Sequence, residues 1–196
     1  MLTEKCRIAV LVSGGGTNLQ AIMDACDRGI IKSGEVVFVA SNNEDAFALK
    51  RASSKNIEAY VFDCEKDLIA ALKERKIELV VLAGFLKILS PEFINEFRNR
   101  IINVHPALIP SFSGKGCYGL HVHEKALAYG VKVTGATVHF VNEVPDGGKI
   151  IAQKAVSVNE DDTPESLQKR VMQEAEWIIL PESIEKVSSE IIKGEI

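Results

Sequence analysis

Short apolar runs recur along the first half of the chain, and each is followed by a turn or by a stretch with helical spacing. Strands are predicted at residues 7–12, 35–40, 59–62, 79–83 and 101–105. Runs without polar alternation are typical of strands covered on both faces. Helices are predicted between them, at residues 17–29, 46–55, 67–76 and 91–97. This alternation predicts an α/β fold with a doubly wound, mostly parallel sheet.

The pattern changes after Pro110. Residues 111–119 are rich in glycine and read as a loop, either a lid or a passive connection, and a short helix follows at 124–129. Strands at 135–141 and 149–156 are joined by a connection too short for a crossover, which predicts an antiparallel hairpin. Two more helices are predicted, from Pro164 to about Leu180 and from Pro181 to about Lys193. With no repeat or linker, residues 1–196 read as a single domain.

A glycine-rich turn follows the first strand. Gly14, Gly15 and Gly16 precede Thr17, and Gln20 stands three residues further on, so a capping box is predicted at the start of the helix. A strand, a glycine turn and a helix N-terminus together favour phosphate binding, because backbone N–H groups and the helix dipole attract an anion. Leu19 stands where a dinucleotide fingerprint has its third glycine, so a monophosphate is favoured. The alternative is a tight turn with spare glycines.

Asn103 and His105 close the fifth predicted strand. Side chains alternate along a strand, so both lie on one face, about 6.5–7 Å apart along the backbone. Pro106 cannot donate to a sheet, which ends the strand at the carboxyl edge where open α/β sheets bind ligands. An amide beside an imidazole suits acyl or formyl transfer, since the amide stabilises an oxyanion and the imidazole moves protons. The alternative is a histidine that only caps a loop.

Two carboxylate sites add candidates further along the chain. Asp146 lies at the tip of the hairpin connection, where it could orient or pair with an imidazole. Glu174 and Glu176 lie among apolar residues, so at least one is expected to face inward and to need a partner such as a substrate amine. His139, within a strand, is interpreted as a core or sheet-surface residue.

Composition narrows the possible partners. The net charge of −4 gives no sign of a nucleic-acid partner, and no apolar run is long enough to span a membrane. The four cysteines lack metal-ligand spacing and are expected to be thiols in a reducing cytosol. His121 and His123 have no acidic or cysteine partner at ligand spacing, so no metal is expected. We therefore expect a cytoplasmic protein that acts on small molecules.

Several motifs together resemble the folate-dependent glycinamide ribonucleotide formyltransferases of purine biosynthesis. The resemblance runs from Arg7 to about Leu180 and rests on the joint order of its pieces. These are SGGGTNLQAI (13–22), VVLAGFLKILSPEF (80–93), NVHPALIPSF (103–112), VTGATVHFV (133–141) and DGGKIIAQ (146–153). The resemblance implies a Rossmann-like formyltransferase fold, a transferase activity and a formyl donor, 10-formyltetrahydrofolate, used as cosubstrate without a metal. It leaves open whether the protein is a monomer or a homodimer.

The resemblance also implies residue roles. Asn103, His105 and Asp146 match the catalytic trio: Asn103 stabilises the tetrahedral oxyanion, His105 assists there and shuttles protons, and Asp146 favours the charged imidazole. The residues that match the ribonucleotide site are Gly14, Gly15, Gly16, Thr17, Asn18 and Glu176. Those that match the segments around the folate pterin are Leu86, Lys87, Ile88, Leu89, Asn142, Glu143, Val144 and Pro145. Residues 1–105 would thus bind the phosphate, and residues 106–196 the folate.

Departures from the family pattern, among them the two below, and three alternatives accompany this interpretation. Lys87 stands where many relatives have Arg, and the helix that carries Glu176 is one residue longer than in some relatives. A formyltetrahydrofolate hydrolase, or a formyltransferase acting on tRNA or on a sugar nucleotide, is expected to carry a further domain. A non-catalytic sensor of a phosphorylated metabolite would need the glycine turn but would have no use for the trio.

Overall fold

The computed structural model describes residues 5–196, which form one seven-stranded sheet between layers of helices. The strands lie in the order β3-β2-β1-β4-β5-β6-β7, with β1 to β5 parallel and the last two pairings antiparallel. Their bounds are β1 Cys6–Val12, β2 Gly34–Ser41, β3 Glu58–Val61, β4 Leu79–Leu82, β5 Ile101–His105, β6 Val133–Phe140 and β7 Ile150–Ser157. The prediction of a mostly parallel α/β sheet with an antiparallel C-terminal hairpin is confirmed. The division into two functional halves stays a prediction.

Seven α-helices are found in the described part of the chain. They are α1 Thr17–Asp27, α2 Phe47–Ser54, α3 Glu65–Glu74, α4 Pro91–Glu96, α5 Leu120–Tyr129, α6 Pro164–Val171 and α7 Trp177–Ile192. A π-helical turn, Met172–Glu176, joins α6 to α7.

Both faces of the sheet are covered, and β1 shows how its sequence achieves this. Ile8, Val10 and Val12 belong to the core cluster shared with α1, α6 and α7. Ala9 and Leu11 belong to the cluster on the other face, shared with α3 and α4. Because neighbouring side chains on a strand point to opposite faces, an uninterrupted apolar run can feed two cores at once.

The chain path gathers the functional segments at one edge. Helical crossovers return the chain so that β1, β4 and β5 all end at the same side of the sheet. β6 then runs antiparallel to β5 and pairs His139 with Asn103 and Thr137 with His105. The carboxyl edge of the parallel strands therefore receives side chains from β6 as well.

Three local predictions are wrong. Thr17 does not cap α1, because Gly16 is the N-cap in the left-handed region and the Gln20 side chain bonds Asp24 and Arg51 instead. α5 begins at Leu120, four residues earlier than expected.

Pro181 lies inside α7 rather than at its start. Proline removes an i→i−4 hydrogen bond from a helix. Here the bond that is missing is the one to the carbonyl of Trp177, the first residue of α7 after the π-helical turn.

The two threonines at helix starts give a matched test. Thr163 forms a capping box with Ser166, whereas Thr17 makes no capping bond. We expect Thr163→Ala to lower the free energy of unfolding by about 1 kcal/mol, because an N–H at the start of α6 loses its acceptor. Thr17→Ala should change it by less than about 0.5 kcal/mol. Urea denaturation measures both, and equal losses would contradict the assignment of the caps.

Candidate active site

A cavity of about 640 Å³ opens at the carboxyl edge of the sheet. Its wall includes fourteen of the residues predicted from the sequence. They are Thr17, Asn18, Leu86, Lys87, Ile88, Leu89, Asn103, His105, Asn142, Glu143, Val144, Pro145, Asp146 and Glu176. Gly14, Gly15 and Gly16 lie in the turn that leads to Thr17 and are not part of this wall. Segments far apart in the chain thus meet around one space.

His105 and Asp146 face each other across a short gap. The imidazole is buried, and its Nδ1 lies 3.6 Å from Oδ2 of Asp146. The ring Nε2 lies 2.9 Å from the carbonyl oxygen of Phe112. A carbonyl only accepts, so this contact places the proton of a neutral ring on Nε2 and leaves Nδ1 as the basic atom facing Asp146.

His139 holds the amide of Asn103. Its Nδ1 lies 2.8 Å from the carbonyl oxygen of Phe140 and therefore carries a proton. Its Nε2, 3.2 Å from Nδ2 of Asn103, then accepts from the amide N–H and fixes which way the amide points. The same Nε2 lies 3.7 Å from Oδ1 of Asp146. Interpreting His139 as a core residue missed this role, and only the antiparallel register of β6 on β5 reveals it.

The two ionisable groups of the pair are set to different charge states. Burial lowers the pKa of His105 below its usual value, although the carboxylate of Asp146 and the carbonyl of Phe112 pull it upward. Burial acts to raise the pKa of Asp146, but the positive charge that His139 and His105 carry when protonated, together with the N–H of Gly114, outweighs it and keeps that pKa below its usual value. A neutral imidazole beside an ionised carboxylate follows at neutral pH.

The loop at residues 111–119 is fixed to this pair. The N–H of Gly114 donates to Oδ2 of Asp146 over 2.7 Å, and the carbonyl of Phe112 faces His105. The backbone of Phe112 has a φ of 49°, in a region that side chains other than glycine seldom occupy. The loop therefore closes over His105 and Asp146 as part of the site wall.

Glu176 is the inward carboxylate, whereas Glu174 is exposed. Glu176 is only 5% exposed, and its Oε2 accepts from Nδ2 of Asn18 over 2.7 Å. Burial raises its pKa to about 7 even though Asn18 pulls it downward. Oδ1 of Asn18 is also buried, with no partner among the described residues. An unpaired acceptor beside a buried carboxyl with a raised pKa indicates a binding position for a hydrogen-bond donor.

The π-helical turn sets the face that carries Glu176. Gln168, Met172 and Glu176 all line the cavity, at intervals of four residues. Four residues of an α-helix overshoot a full turn by about 40°. The wider π turn needs more residues per turn and rotates the second interval back, so the three side chains stay on one side.

The outer wall of the cavity is apolar. Leu86, Ile88 and Val144 are exposed large hydrophobic residues at its mouth. The Oγ of Ser13 accepts from the N–H of Leu86 over 3.1 Å and so ties this wall to the glycine turn. The carboxylate of Glu143 is held by Arg98 over 2.5 Å.

Two kinds of feature are absent from residues 5–196. No group of three or more His, Cys, Asp or Glu side chains in that range is arranged to hold a metal ion. In the same range, none of the helices combines the length and the apolar character needed to cross a lipid bilayer.

Comparisons with known proteins agree on one family. The model of the formyl transferase family matches residues 6–184. A chloroplastic phosphoribosylglycinamide formyltransferase of Arabidopsis thaliana is 42% identical over 178 residues, which is 86% of this chain and 61% of that protein. A phosphoribosylglycinamide formyltransferase of Haemophilus influenzae is 39% identical over 184 residues, with 89% of this chain and 84% of that protein covered.

Solved structures give the same result. The crystal structure of glycinamide ribonucleotide transformylase 1 from Symbiobacterium toebii superposes with a TM-score of 0.86 at 40% identity, over 97% of this chain and 89% of that one. Against the Arabidopsis protein and a Vigna unguiculata relative, however, the chain spans only 61% and 56% of the curated sequence.

Glu176 gives a prediction about stability that needs no substrate. Because its pKa in the folded protein is raised from 4.5 to about 7, ionisation opposes folding increasingly as the pH rises through that interval. We expect Glu176→Gln to gain more stability relative to the unmodified chain at pH 8 than at pH 5, measured by thermal unfolding. The exposed Glu174→Gln serves as the control. A gain in stability that is the same at both pH values would contradict the conclusion that burial destabilises the ionised carboxyl of Glu176.

Asp146 gives a prediction about His105. The carboxylate raises the pKa of the imidazole, so Asp146→Asn should lower that pKa further. The measurement is an NMR titration of the ring Cε1–H signal of His105. The exposed Asp161→Asn should leave the titration in place, and an unmoved His105 in the Asp146 variant would mean that the two groups do not interact.

Proposed function

The chain belongs to the formyl transferase family, and we propose that it transfers a formyl group from 10-formyltetrahydrofolate to the amine of glycinamide ribonucleotide, a step of purine biosynthesis. The observation that carries the proposal is the meeting of Asn103, His105 and Asp146 at the edge of one large cavity. The relatives named above as phosphoribosylglycinamide formyltransferases support the choice of reaction.

Asn103 is the group that we assign to the developing oxyanion. One N–H of its amide is taken up by Nε2 of His139, which leaves the other free to donate into the cavity. A donor fixed before the reaction stabilises negative charge without reorganisation, and loss of one such donor costs about a hundredfold or more in rate.

His105 is the group that we assign to proton transfer. Its neutral ring has a basic Nδ1 facing Asp146 at 3.6 Å. When Nδ1 takes a proton from the attacking amine, the imidazolium gains an ionised carboxylate as its partner. The burial that keeps the ring neutral beforehand, and the charge that stabilises it afterwards, are both suited to a general base. The ring would then pass the proton to the folate nitrogen whose bond to the formyl carbon breaks.

The remaining residues fit the two substrates. The folate supplies the formyl group when bound, and the apolar wall at Leu86, Ile88 and Val144 suits a flat heteroaromatic ring. A cavity of about 640 Å³ is within the range of sites for small molecules. We assign the phosphate of the ribonucleotide to the N–H groups of Gly14, Gly15, Gly16 and Thr17, at the start of α1.

The substrate amine is assigned to Glu176 together with Asn18. Oδ1 of Asn18 lacks a donor, and the Glu176 carboxyl is held at a pKa of about 7 by burial. A cationic or neutral amine entering here would satisfy both acceptors, which explains why a costly buried carboxyl is retained. The enzyme would act in the cytoplasm as a monomer or a homodimer.

A direct assay tests the proposal. The protein is mixed with glycinamide ribonucleotide and 10-formyltetrahydrofolate, and deformylated folate is followed by absorbance. We expect turnover only when both substrates are present. Deformylation that does not need the ribonucleotide would point to a hydrolase, and ribonucleotide binding without any turnover would point to a sensor.

Variants of the trio refine the assay. We expect Asn103→Ala, His105→Ala and Asp146→Ala each to lower kcat/KM by about a hundredfold or more. His121→Ala is the matched control, because His121 is exposed, bonds Glu124 and lies outside the cavity wall. A trio variant as active as the control would remove that residue from the mechanism.

A further inference from the structure

The glycine turn is braced from behind by α2. The N–H of Ala48 donates to the carbonyl oxygen of Gly14 over 3.1 Å. Nε of Arg51 donates to the carbonyl oxygen of Gly15 over 2.9 Å. Two successive carbonyls of the turn are therefore drawn to the same helix.

The bracing decides where the amides of the turn point. The N–H groups of Gly14, Gly15, Gly16 and Thr17 donate no hydrogen bond within residues 5–196. The oxygens of Gly14 and Gly15 share their peptide groups with the N–H groups of Gly15 and Gly16. Because the N–H of a trans peptide points opposite to its oxygen, these two N–H groups face away from α2, as in an anion-binding nest.

Close packing makes the bracing rigid. Gly16 has a φ of 71°, and a Cβ placed on it would lie 2.6 Å from Cβ of Ala48. Only glycine therefore lets α2 approach this closely.

Arg51 is itself held in place from three directions. Besides Gly15, its Nη1 donates to Oε1 of Gln20 over 3.0 Å. Its guanidinium carbon lies 5.0 Å from the centre of the Phe47 ring, a cation–π contact. The side chain is half-buried, so its orientation is determined by packing as well as by charge. Its Nη2 donates no hydrogen bond to any described residue.

We propose that Arg51 is a positioning residue for the substrate phosphate, which sets the glycine turn for the anion by holding the carbonyl of Gly15. The first turn of α1 carries no acidic residue that would repel an anion. The guanidinium of Arg51 also adds positive charge behind the glycine turn, which favours an anion there. The inference rests on the proposed phosphate site at residues 14–17. It adds a requirement on α2, which lies outside the cavity wall.

The planar fork of arginine is the feature that the proposal needs. Nε and Nη1 reach two different acceptors, Gly15 and Gln20, at the same time. A lysine keeps the charge but presents a single flexible ammonium, so it cannot hold both acceptors in one geometry. Arg51→Lys therefore separates positioning from charge.

The experiment uses ribose 5-phosphate and ribose as probes, with binding measured by calorimetry and without any need for turnover. The variants are Arg51→Lys and Arg51→Met. The matched control is Arg28→Met. Arg28 is exposed at the C-terminal end of α1, about 16 Å from Thr17 along the helix axis at a rise of about 1.5 Å per residue. Circular dichroism establishes that each variant is folded.

We expect Arg51→Met to bind ribose 5-phosphate about tenfold more weakly than the unmodified chain, as suits the loss of a charge-assisted hydrogen bond. Arg51→Lys should bind it more than about threefold more weakly, because the fork is lost. Arg28→Met should bind like the unmodified chain. With both substrates present, KM for the ribonucleotide should rise in the Arg51 variants while kcat and the KM for folate stay unchanged.

The outcomes separate this proposal from the proposed function. If the unmodified chain does not prefer ribose 5-phosphate to ribose, the phosphate site itself is wrong. If it does and Arg51→Lys binds within about threefold of it, the positioning role is overturned, because geometry then adds nothing to charge. An equal fall in kcat and kcat/KM with unchanged phosphate binding would also overturn it.

Discussion

The antiparallel pairing of β5 with β6 is the interaction on which the arrangement of the site depends. β5 alone brings Asn103 and His105 to the carboxyl edge, but it does not fix how either side chain is turned. The register that sets His139 opposite Asn103 provides an acceptor for the amide. It also fixes the start of the hairpin connection that carries Asp146 back to His105.

Burial and hydrogen bonding shift the pKa values of two carboxyl groups of this cavity in opposite directions. The pKa of Asp146 stays below its usual value, because the N–H of Gly114 and the positive charge that the two imidazoles carry when protonated outweigh its burial. Glu176 has only the amide of Asn18, and its pKa rises to about 7. Acid and base chemistry at neutral pH requires groups in different charge states, and environments that shift pKa values in opposite directions provide them. The sheet and the helices around it form two extensive apolar cores, and the burial of these cores offsets the free-energy cost of burying the Glu176 carboxyl.

The sequence predicted the sheet well, since apolar runs and helical spacing are local patterns. The carboxyl edge that parallel strands share also predicted a ligand site at Asn103 and His105, whereas the convergence of Asp146 with them was implied by the resemblance to glycinamide ribonucleotide formyltransferases. It failed where the outcome depends on contacts distant in sequence. Gln20 bonds Arg51 of α2 rather than capping α1. His139 gains its role from the strand next to it.

The helix that carries Glu176 shows the same limit. The spacing predicted one helix up to Leu180 and another from Pro181. The structure instead forms a π-helical turn and continues through Pro181. Two side chains of this turn contact α1, since Thr17 contacts Met172 and Asn18 bonds Glu176, and such contacts between distant segments are not visible in the local spacing.

A crystal structure with glycinamide ribonucleotide and a stable analogue of the formyl folate would show directly whether the trio surrounds the reacting groups. We expect the carbonyl oxygen of the analogue to lie about 3 Å from Nδ2 of Asn103, as a preorganised oxyanion donor requires, with His105 and Asp146 beside the substrate amine. An analogue bound in the cavity with its carbonyl turned away from Asn103, or with the amine on the far side from His105, would contradict it.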